Sequence, residues 1–434
     1  MSSEPTFKLL NLASEIVAQV IAEVSDKKDL ANLRLTCKTL EPYPRKELFK
    51  NVFVSPSKRH LPKWNSITQS DRIRCIPRET TIQTRPDDER EEYNEKDFQK
   101  AIAALSKFPN IDSLQIHFSY ECRGSESDRE WPILEETWQR KDMFERIFRA
   151  IKDRAADKNN RTIRKLTIEN LQNYPHKDFT SSGLFHDVMC DLEELHLSTT
   201  QEYDEHVAEL DCTRIELRTF PEHLCSAWLA PIASNLTTLS LYSYGDNWGC
   251  FPGYFDPSGI SFPKLETLAL GYYTLAHNND IDWILNIQSL RKLILHNCMI
   301  VSSMYIFRKD LETWNVPIHD WDLRFKDSFR YKGVWSMFLD RISESLPNLS
   351  HFAFDYNGGS AYNMSARDAC RARIFVQRYI GYSMATLPTP WPKPDEEGES
   401  WEEDGIEINP HKDNFDVDQE SLRKLLSRLK RCGQ

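Results

Sequence analysis

A short apolar phrase recurs along the body of the chain: an apolar residue, two others, a second apolar residue, one other and a third apolar residue. The last four residues of the phrase alternate, which predicts a short β-strand with one buried face. Seven occurrences are more than chance gives in a leucine-rich chain, so we expect a repetitive fold. They begin at Ile111, Ile163, Leu192, Leu236, Leu265, Leu290 and Leu349.

Apolar residues at helical spacing lie between several of these strands. The clearest faces are Phe98-Ile102-Leu105, Phe144-Ile147-Phe148-Ile151 and Trp335-Phe338-Leu339-Ile342. Pro109 and Pro347 follow two of these faces, and each should end the helix and keep its neighbours extended. Strands joined through helices are parallel and stack as a right-handed solenoid. The pattern therefore predicts an α/β fold with a parallel sheet on one face and helices on the other.

The phrase resembles a leucine-rich repeat, whose pattern is LxxLxLxxN/C. The ninth position matches only at Cys298 and Asn357, and the repeats are unevenly spaced. The intervals from 111 to 163 and from 290 to 349 require a long insertion or a missed repeat. Ile215 and Leu217 are candidates for one degenerate repeat. The resemblance implies an irregular leucine-rich-repeat solenoid over residues 51–385.

A second pattern lies in the first fifty residues. Leu12, Ile16, Val20, Ile21 and Val24 fall at helical spacing around Ser14, a candidate N-cap. A second helical face follows, with Asp26 or Asp29 to start it, and Pro42 and Pro44 then restart the chain. Its apolar residues are Leu30, Leu33, Cys37 and Leu40. A unit this small is not stable alone, so part of its apolar surface should meet a partner or the next domain.

These N-terminal residues resemble an F-box. The matching pairs are Leu12-Ala13, Glu15-Ile16, Val20-Ile21, Asp29-Leu30, Leu33-Arg34 and Cys37-Lys38, with Ala13 where the family usually has proline. The segment from Asn51 to Leu61 is similar to the one that follows the F-box in a family common in filamentous fungi. The resemblance implies that residues 1–50 dock on the Skp-type adaptor of a cullin–RING ubiquitin ligase. The implied docking residues are Leu12, Ile16, Ile21, Leu30, Leu33 and Leu40. The alternative is a helical cap on the next domain.

Composition narrows the possible partners and compartments. The chain has 434 residues, with 55 basic against 66 acidic side chains and a net charge of -11, which disfavours a general nucleic-acid binder. The locally basic segment 45–85 is typical of a solvated face or of a surface facing an acidic partner. No apolar run is long enough to cross a membrane, and the N-terminus lacks a secretory pattern. We expect a cytoplasmic or nuclear protein whose scattered cysteines, such as Cys37 and Cys298, are reduced core residues.

No catalytic or metal-binding signature is present in the sequence. The motifs GxSxG, GxxxxGK[ST] and HExxH are all missing, so we expect no enzymatic activity and no cofactor. For zinc, the nearest candidates are His223 and Cys225, and nothing nearby completes four ligands. His196 lies between Leu195 and Leu197, so it should point to the opposite, open side of the sheet.

The open face of a solenoid is where such proteins usually bind. Tyrosine brings a large rigid area and a polar tip, which makes it a frequent recognition residue. A tyrosine-rich edge follows the predicted strands, and we expect it to contact the captured protein. The alternative is that these tyrosines pack between neighbouring repeats. The candidate residues are Tyr242, Tyr244, Tyr272, Tyr273, His296, Asp355 and Tyr356.

The C-terminal part has a different composition. Residues 386–417 are rich in proline and then acidic, which predicts a mobile linker. Residues 418–432 carry a leucine stripe that predicts an amphipathic helix docked back on the solenoid. Together with the two resemblances, the implied function is the substrate-recognition subunit of an SCF-type E3 ubiquitin ligase with an unknown protein target. The alternative is a non-enzymatic scaffold whose N-terminal helices only cap the solenoid.

Overall fold

The computed structural model describes residues 9–86, 92, 94–123, 135–201, 214–243, 247–251, 253–314, 316–356, 367, 369–383, 387–391 and 414–432. The chain forms two compact units. The N-terminal unit comprises Met1–His117 with Arg149–Ile163, and the C-terminal unit comprises Phe118–Phe148 with Arg164–Gln434. Residue 50, the predicted end of the first domain, therefore lies inside a compact unit.

The N-terminal unit combines short helices with three parallel strands. Its elements are α1 (Ser14–Ala22), α2 (Lys27–Thr36), α3 (Pro42–Phe49), β1 (Asn51–Val54), α4 (Leu61–Gln69), β2 (Glu79–Gln83), α5 (Glu95–Ala103) and β3 (Ser113–His117). Strand β2 pairs in parallel with β1 and with β3, so Val54, Ile82 and Ile116 lie in register, all fully buried. Strand β3 was predicted from the phrase at Ile111. Strands β1 and β2 were missed because neither follows the phrase: β1 has three apolar residues in a row, and β2 has only Ile82.

The C-terminal unit contains the larger parallel sheet. Strands β6 (Lys165–Gln172), β7 (Glu194–Thr200), β8 (Thr238–Ser243), β9 (Thr267–Gly271), β11 (Lys292–His296) and β15 (His351–Asp355) pair in that order. Each strand contains the last two apolar residues of one phrase, and the middle apolar residues align in register. These residues are Leu166, Leu195, Leu239, Leu268, Leu293 and Phe352, all at most 4% exposed. A mixed α/β fold with a large parallel sheet is thus confirmed.

Helices and short strands connect the strands of this sheet. They are β4 (Cys122–Arg123), β5 (Glu135–Glu136), α6 (Thr137–Ala155), α7 (Lys177–Thr180), α8 (Gly183–Met189) and α9 (Ile215–His223). Phe144 of α6 stacks on Phe179, and Phe148 stacks on Phe185. Ile215 and Leu217 lie in α9, so the prediction of a degenerate repeat there is wrong. Pro221 lies inside the same helix, and a π-helical turn (Leu224–Leu229) continues it.

The interval from 290 to 349 contains an insertion. It comprises β12 (Met299–Tyr305), α11 (Arg308–Trp314), β13 (Trp321–Phe325), β14 (Ser328–Tyr331) and α12 (Trp335–Ser345). Two short elements come before this interval, namely β10 (Thr274–Leu275) and α10 (Asp282–Leu285). Strands β13, β14 and β12 pair antiparallel, and β12 pairs in parallel with β10 and with β16 (Tyr379–Ser383). A second, mixed sheet thus interrupts the repeats.

Part of the predicted linker 386–417 is a strand. Leu387–Trp391 forms strand β17, which pairs antiparallel with β16 at the edge of the second sheet. An edge strand tolerates Pro388 and Pro390 because one side of it donates no ladder hydrogen bonds. The acidic run at 395–404 lies outside the described residues.

The last helix, α13 (Phe415–Cys432), packs on α12. Leu422, Leu425 and Leu429 of the leucine stripe are buried. The carboxylate of Asp418, in the first turn of this helix, is buried and accepts hydrogen bonds from Ser336 N (2.7 Å) and Arg378 Nε (2.8 Å). Among the described residues, no helix is long and apolar enough to span a membrane.

Candidate protein-interaction site

The three N-terminal helices form a small apolar core of their own. Val17, Ile21, Leu30 and Leu40 are at most 6% exposed and pack together. Asp26 caps α2 by accepting a hydrogen bond from Lys28 N (2.6 Å), whereas Ser14 lies inside α1 and bonds to Glu15 instead. Helix α1 contributes Val17 and Ile21, and α2 contributes Leu30. Leu40 lies in the turn before α3, whose Tyr43 and Leu48 pack against the core.

This core includes half of the predicted docking residues. Ile21, Leu30 and Leu40 are buried in it, and Leu12 and Leu33 pack against it while partly exposed. The structure places Ile21, Leu30 and Leu40 in the core of these helices, and their predicted docking role stays a prediction. Helical spacing alone could not separate the inner from the outer apolar face.

A second set of apolar side chains on the same helices faces solvent. Ile16 and Val20 are each 43% exposed, Leu35 is 79% exposed, and Leu10, just before α1, is 46% exposed. Ile16 and Val20 are four residues apart in α1 and therefore share a face. Ile16 is the one predicted docking residue whose side chain is exposed. Cys37, expected in the core, is also exposed.

Charged groups around the helices are largely neutralised by neighbours. Arg45 pairs with Glu41 at 3.2 Å, and Arg74 pairs with Asp71 at 2.8 Å. At the start of α1, hydrogen bonds from its own backbone and from Ser14 lower the pKa of Glu15. The locally basic segment therefore does not present its whole charge to a partner.

The second face of the large sheet, predicted to be open, is covered. One side chain of each strand on this face is buried, whereas the side chain two residues earlier is half-buried, as at Lys165 and Glu194, or exposed, as at His351. The buried residues are Thr167, His196, Ser240, Ala269 and Ile294. Tyr242, Ala269, Ile294 and Ala353 form an apolar cluster there, with Cys370 packed against it. Because the chain itself provides the covering residues, this face is part of the core.

Polar contacts around His196 connect this face of the sheet to Arg367. His196 points away from the leucines, as predicted, but it is only 1% exposed. Arg367 Nη1 donates to Ser240 Oγ (2.9 Å), and His196 Nδ1 lies 2.9 Å from the same oxygen. Burial lowers the pKa of His196, whereas a hydrogen bond from His196 is the main cause that lowers the pKa of Glu194. A neutral imidazole thus joins the sheet to the segment that covers it.

The predicted tyrosine-rich edge is mostly buried as well. Tyr242, Tyr273, His296 and Asp355 are at most 7% exposed. Gly271 lies against the ring of Tyr242, since a Cβ at that glycine would be 2.0 Å from the ring. These four positions are corrected to packing positions, in agreement with the alternative that tyrosines pack between repeats.

The remaining residues of that edge are placed differently. Tyr272 and Tyr356 are half-buried, and the ring of Tyr356 stacks on Phe375 with centroids 5.5 Å apart. Tyr244 lies outside the described residues. A role of Tyr272 and Tyr356 in target binding stays a prediction.

A groove on the C-terminal unit exposes large apolar side chains. Trp138 is 63% exposed and Ile215 is 57% exposed, and both line a groove of about 670 Å³. Tyr174, Lys141 and Glu216 are among the other lining residues. Sequence reasoning missed this groove because Trp138 and Ile215 lie 77 positions apart (215 − 138) and outside the recurring phrase.

His223 and Cys225, the nearest metal candidates in the sequence, serve other roles. His223 Nε2 lies 3.3 Å from Thr180 Oγ1, and burial followed by the charge of Lys177 lowers the pKa of His223 to about 4. Burial raises the pKa of the Cys225 thiol to about 12, so this cysteine stays protonated. The side chains of His277, His319 and Asp320 have better geometry for a metal ion.

Comparisons with known proteins identify no family. Neither a protein-family model nor a curated protein matches the sequence. Among solved structures, the chain is similar to one in the crystal structure of the Rad7 and Elc1 complex in yeast, with 13% sequence identity. The match covers 80% of this chain and 88% of that chain, with a TM-score of 0.27. A TM-score this low supports no structural argument.

Proposed function

We propose that this chain is the substrate-recognition subunit of an SCF-type cullin–RING E3 ubiquitin ligase and that it binds proteins rather than catalysing a reaction. The observation that supports the proposal best is the exposed apolar set Leu10, Ile16, Val20 and Leu35. These side chains stay exposed although the helices that carry them already have a closed core. The F-box resemblance of the same helices suggests a Skp-type adaptor as the partner.

The proposed docking surface differs from the one predicted by spacing. Ile16 and Val20 on α1 and Leu35 on α2 replace Ile21, Leu30 and Leu40. Burying an exposed apolar side chain of this size contributes about 1.5–3 kcal/mol. Three such residues are enough to supply the central part of a small interface, in which a few residues dominate the binding energy.

The target would bind to the C-terminal unit. Trp138 and Ile215 suit this role because exposed tryptophan is enriched among residues that dominate interfaces. The contribution of the chain to ubiquitin transfer would be a high effective concentration of the target near the ligase. No bond-forming step is required of its own side chains.

The adaptor docking can be tested with substitutions that leave the helical core intact. In Ile16→Asp/Leu35→Asp, two carboxylates would be buried without partners on docking, which is costly. We expect binding to a purified Skp-type adaptor, measured by calorimetry, to weaken at least about 100-fold, which corresponds to about 2.7 kcal/mol. Leu33→Asp is a poorer test because Leu33 packs against the core.

The matched control places the same two charges elsewhere. In Leu323→Asp/Val376→Asp, the replaced side chains are 48% and 61% exposed and lie in the C-terminal unit. We expect unchanged adaptor binding, and circular dichroism should show both double variants to be folded. Equal adaptor binding by both double variants would contradict the proposed docking surface.

A scaffold without an adaptor is the second candidate function. It is favoured by the place of α1–α3 in the same compact unit as β1–β3. Arg78 N and Glu79 N both donate to Lys50 O, directly after α3. If the helices only cap the sheet, the unchanged chain will not bind any Skp-type adaptor, whereas the ligase subunit will.

A further inference from the structure

His277 is a fully buried histidine without a hydrogen-bond partner. Its side chain is 0% exposed, and neither ring nitrogen makes a hydrogen bond within the part of the chain that the structure describes. His196 and His223 have a hydroxyl within hydrogen-bond distance, whereas both ring nitrogens of buried His296, like those of His277, have no partner within the described part of the chain. A buried polar atom without a partner is rare and requires an explanation. One such explanation is that the atom binds an ion.

Two further ligand groups lie beside this imidazole. His277 Nδ1 is 3.9 Å from Asp320 Oδ2, and His319 Nε2 is 3.4 Å from the same oxygen. One ligand atom from each of the three residues lies within 4.8 Å of the other two. Two imidazole nitrogens and a carboxylate oxygen therefore converge on one point.

We propose that His277, His319 and Asp320 form a binding site for one divalent transition-metal ion, and that Zn²⁺ fits this donor set best. Zinc accepts imidazole nitrogen and carboxylate oxygen in tetrahedral geometry, at bond lengths of about 2.0–2.2 Å. Tetrahedral ligand atoms at that distance are roughly 3.4 Å apart. The two distances to Asp320 are close to this value, and rotation of the stacked His277 and His319 rings would turn one nitrogen of each toward the ion. A water molecule would fill the fourth position.

The donor types argue against the common alkaline-earth ions. Ca²⁺ and Mg²⁺ prefer oxygen ligands, and Mg²⁺ keeps several waters in an octahedral shell. Two imidazoles out of three protein ligands favour zinc or a neighbouring transition metal instead.

The surroundings of the three residues are already ordered. Asn278 N donates to Asp320 Oδ2 at 2.9 Å, which fixes the carboxylate. The ring of His277 stacks between those of His319 and Trp321, at centroid distances of 4.8 and 5.2 Å. Trp321 Nε1 in turn donates to Ala276 O at 2.9 Å. Hydrogen bonds around the ligands orient a metal site and are part of it.

The site has an entry path and a position that suggests a structural role. The His319 side chain is 52% exposed, while that of His277 is fully buried, so an ion can reach the site from solvent. The ligands come from the turn after β10 and from the residues just before β13. A bound ion would therefore link the β13–β14 hairpin to the turn that follows β10.

Zinc binding can be measured on the full chain after removal of metal with a chelator. In calorimetric titration with ZnCl₂, we expect one ion per chain. His319→Ala, at an exposed side chain, should weaken binding at least about tenfold, and His277→Gln should do the same. Zinc should also raise the thermal midpoint of the unchanged chain but not that of His319→Ala, since a ligand that binds only the folded state stabilises it.

The control is His351→Ala, at an exposed histidine of β15, which should leave zinc binding unchanged. Because His277→Gln alters a buried position, His319→Ala decides the test if that variant does not fold. Absence of zinc binding, or zinc binding that survives His319→Ala, would overturn the proposal.

Discussion

Two buried arginines of α6 hold backbone carbonyl groups in place. Arg140 and Arg154 are each 1% exposed. Arg140 Nη1 donates to Asn170 O at 2.7 Å, and Arg154 Nε donates to Phe108 O at 3.0 Å. A guanidinium has five donors and no acceptor, so it suits clusters of carbonyl groups. Such buried charges also act on ionisable neighbours.

His176 and His223 should make the stability of the protein depend on pH. Burial, followed by the charges of Arg140, Lys141 and His223, lowers the pKa of His176 to about 4, and the pKa of His223 is also about 4. The unfolded chain takes up protons near pH 6.5, whereas the folded chain does not. Stability is therefore lost as the pH falls below 6.5, by about 2 kcal/mol per histidine at pH 5.

Urea unfolding at pH 7 and at pH 5 checks this expectation. The loss of unfolding free energy between the two pH values should be smaller in His176→Gln/His223→Gln than in the unchanged chain. His186→Gln, at an exposed histidine, should show the full loss. An equal loss in all three proteins would show that the two buried histidines do not cause it.

Elements were predicted from the sequence where apolar periodicity alone determines them. The strand at Leu268 and the helix at Trp335 are examples, because three or more buried apolar positions define each of them. Periodicity could not show that the opposite face, with Ser240 and His196, is covered, since polar residues there are satisfied by a distant segment. It also could not show which side of α1 faces its own core, because Ile16 and Ile21 are equally apolar.

The docking of α13 should depend on one buried carboxylate. Asp418 is 0% exposed and accepts from Arg378 Nε and Tyr379 Oη, both at 2.8 Å, as well as from Ser336 N. Asp418→Asn leaves the buried guanidinium of Arg378 without its counter-charge. Breaking a buried ion pair in this way costs about 3–5 kcal/mol.

Limited proteolysis and thermal unfolding measure this loss. We expect earlier cleavage within 414–432 and a lower thermal midpoint for Asp418→Asn. Asp416→Asn, at an exposed position in the first turn of the same helix, should behave like the unchanged chain. If both variants were cleaved at the same rate as the unchanged chain, the hydrogen bonds of Asp418 would not anchor the helix.

The boundary between the two compact units does not coincide with any change in the apolar pattern of the sequence. Helix α6 contributes residues to both compact units, and its apolar spacing is continuous across the division. The proposed metal site was likewise beyond prediction, because His277 and His319 lie 42 positions apart (319 − 277) and meet only through tertiary packing. Local patterns establish elements, whereas contacts between distant segments require the folded chain.

Arg154→Met should affect the two units unequally. The substitution leaves the carbonyls of Phe108 and Ile111 without their arginine donor, whereas that of Pro109 still accepts from Arg161 N. Each unsatisfied buried group costs about 1–3 kcal/mol. In hydrogen–deuterium exchange we expect faster exchange in β1, β2 and β3 than in the unchanged chain. Strands β8, β9 and β11 should change little.

Arg149→Met, at an exposed position of the same helix, is the control and should change neither sheet. Equally faster exchange in both sheets of the Arg154→Met variant would show that the two units open together.

Arg154 also sets an order of events during synthesis. The ribosome makes the carbonyl of Ile111 first, and the guanidinium that binds it follows 43 residues later. The intervening Phe118–Phe148 belongs to the other unit. The core of α1–α3 needs only residues 9–48, so it is complete much earlier. The emerging chain therefore displays Ile16 and Leu35 while the unit that carries them is still unfinished.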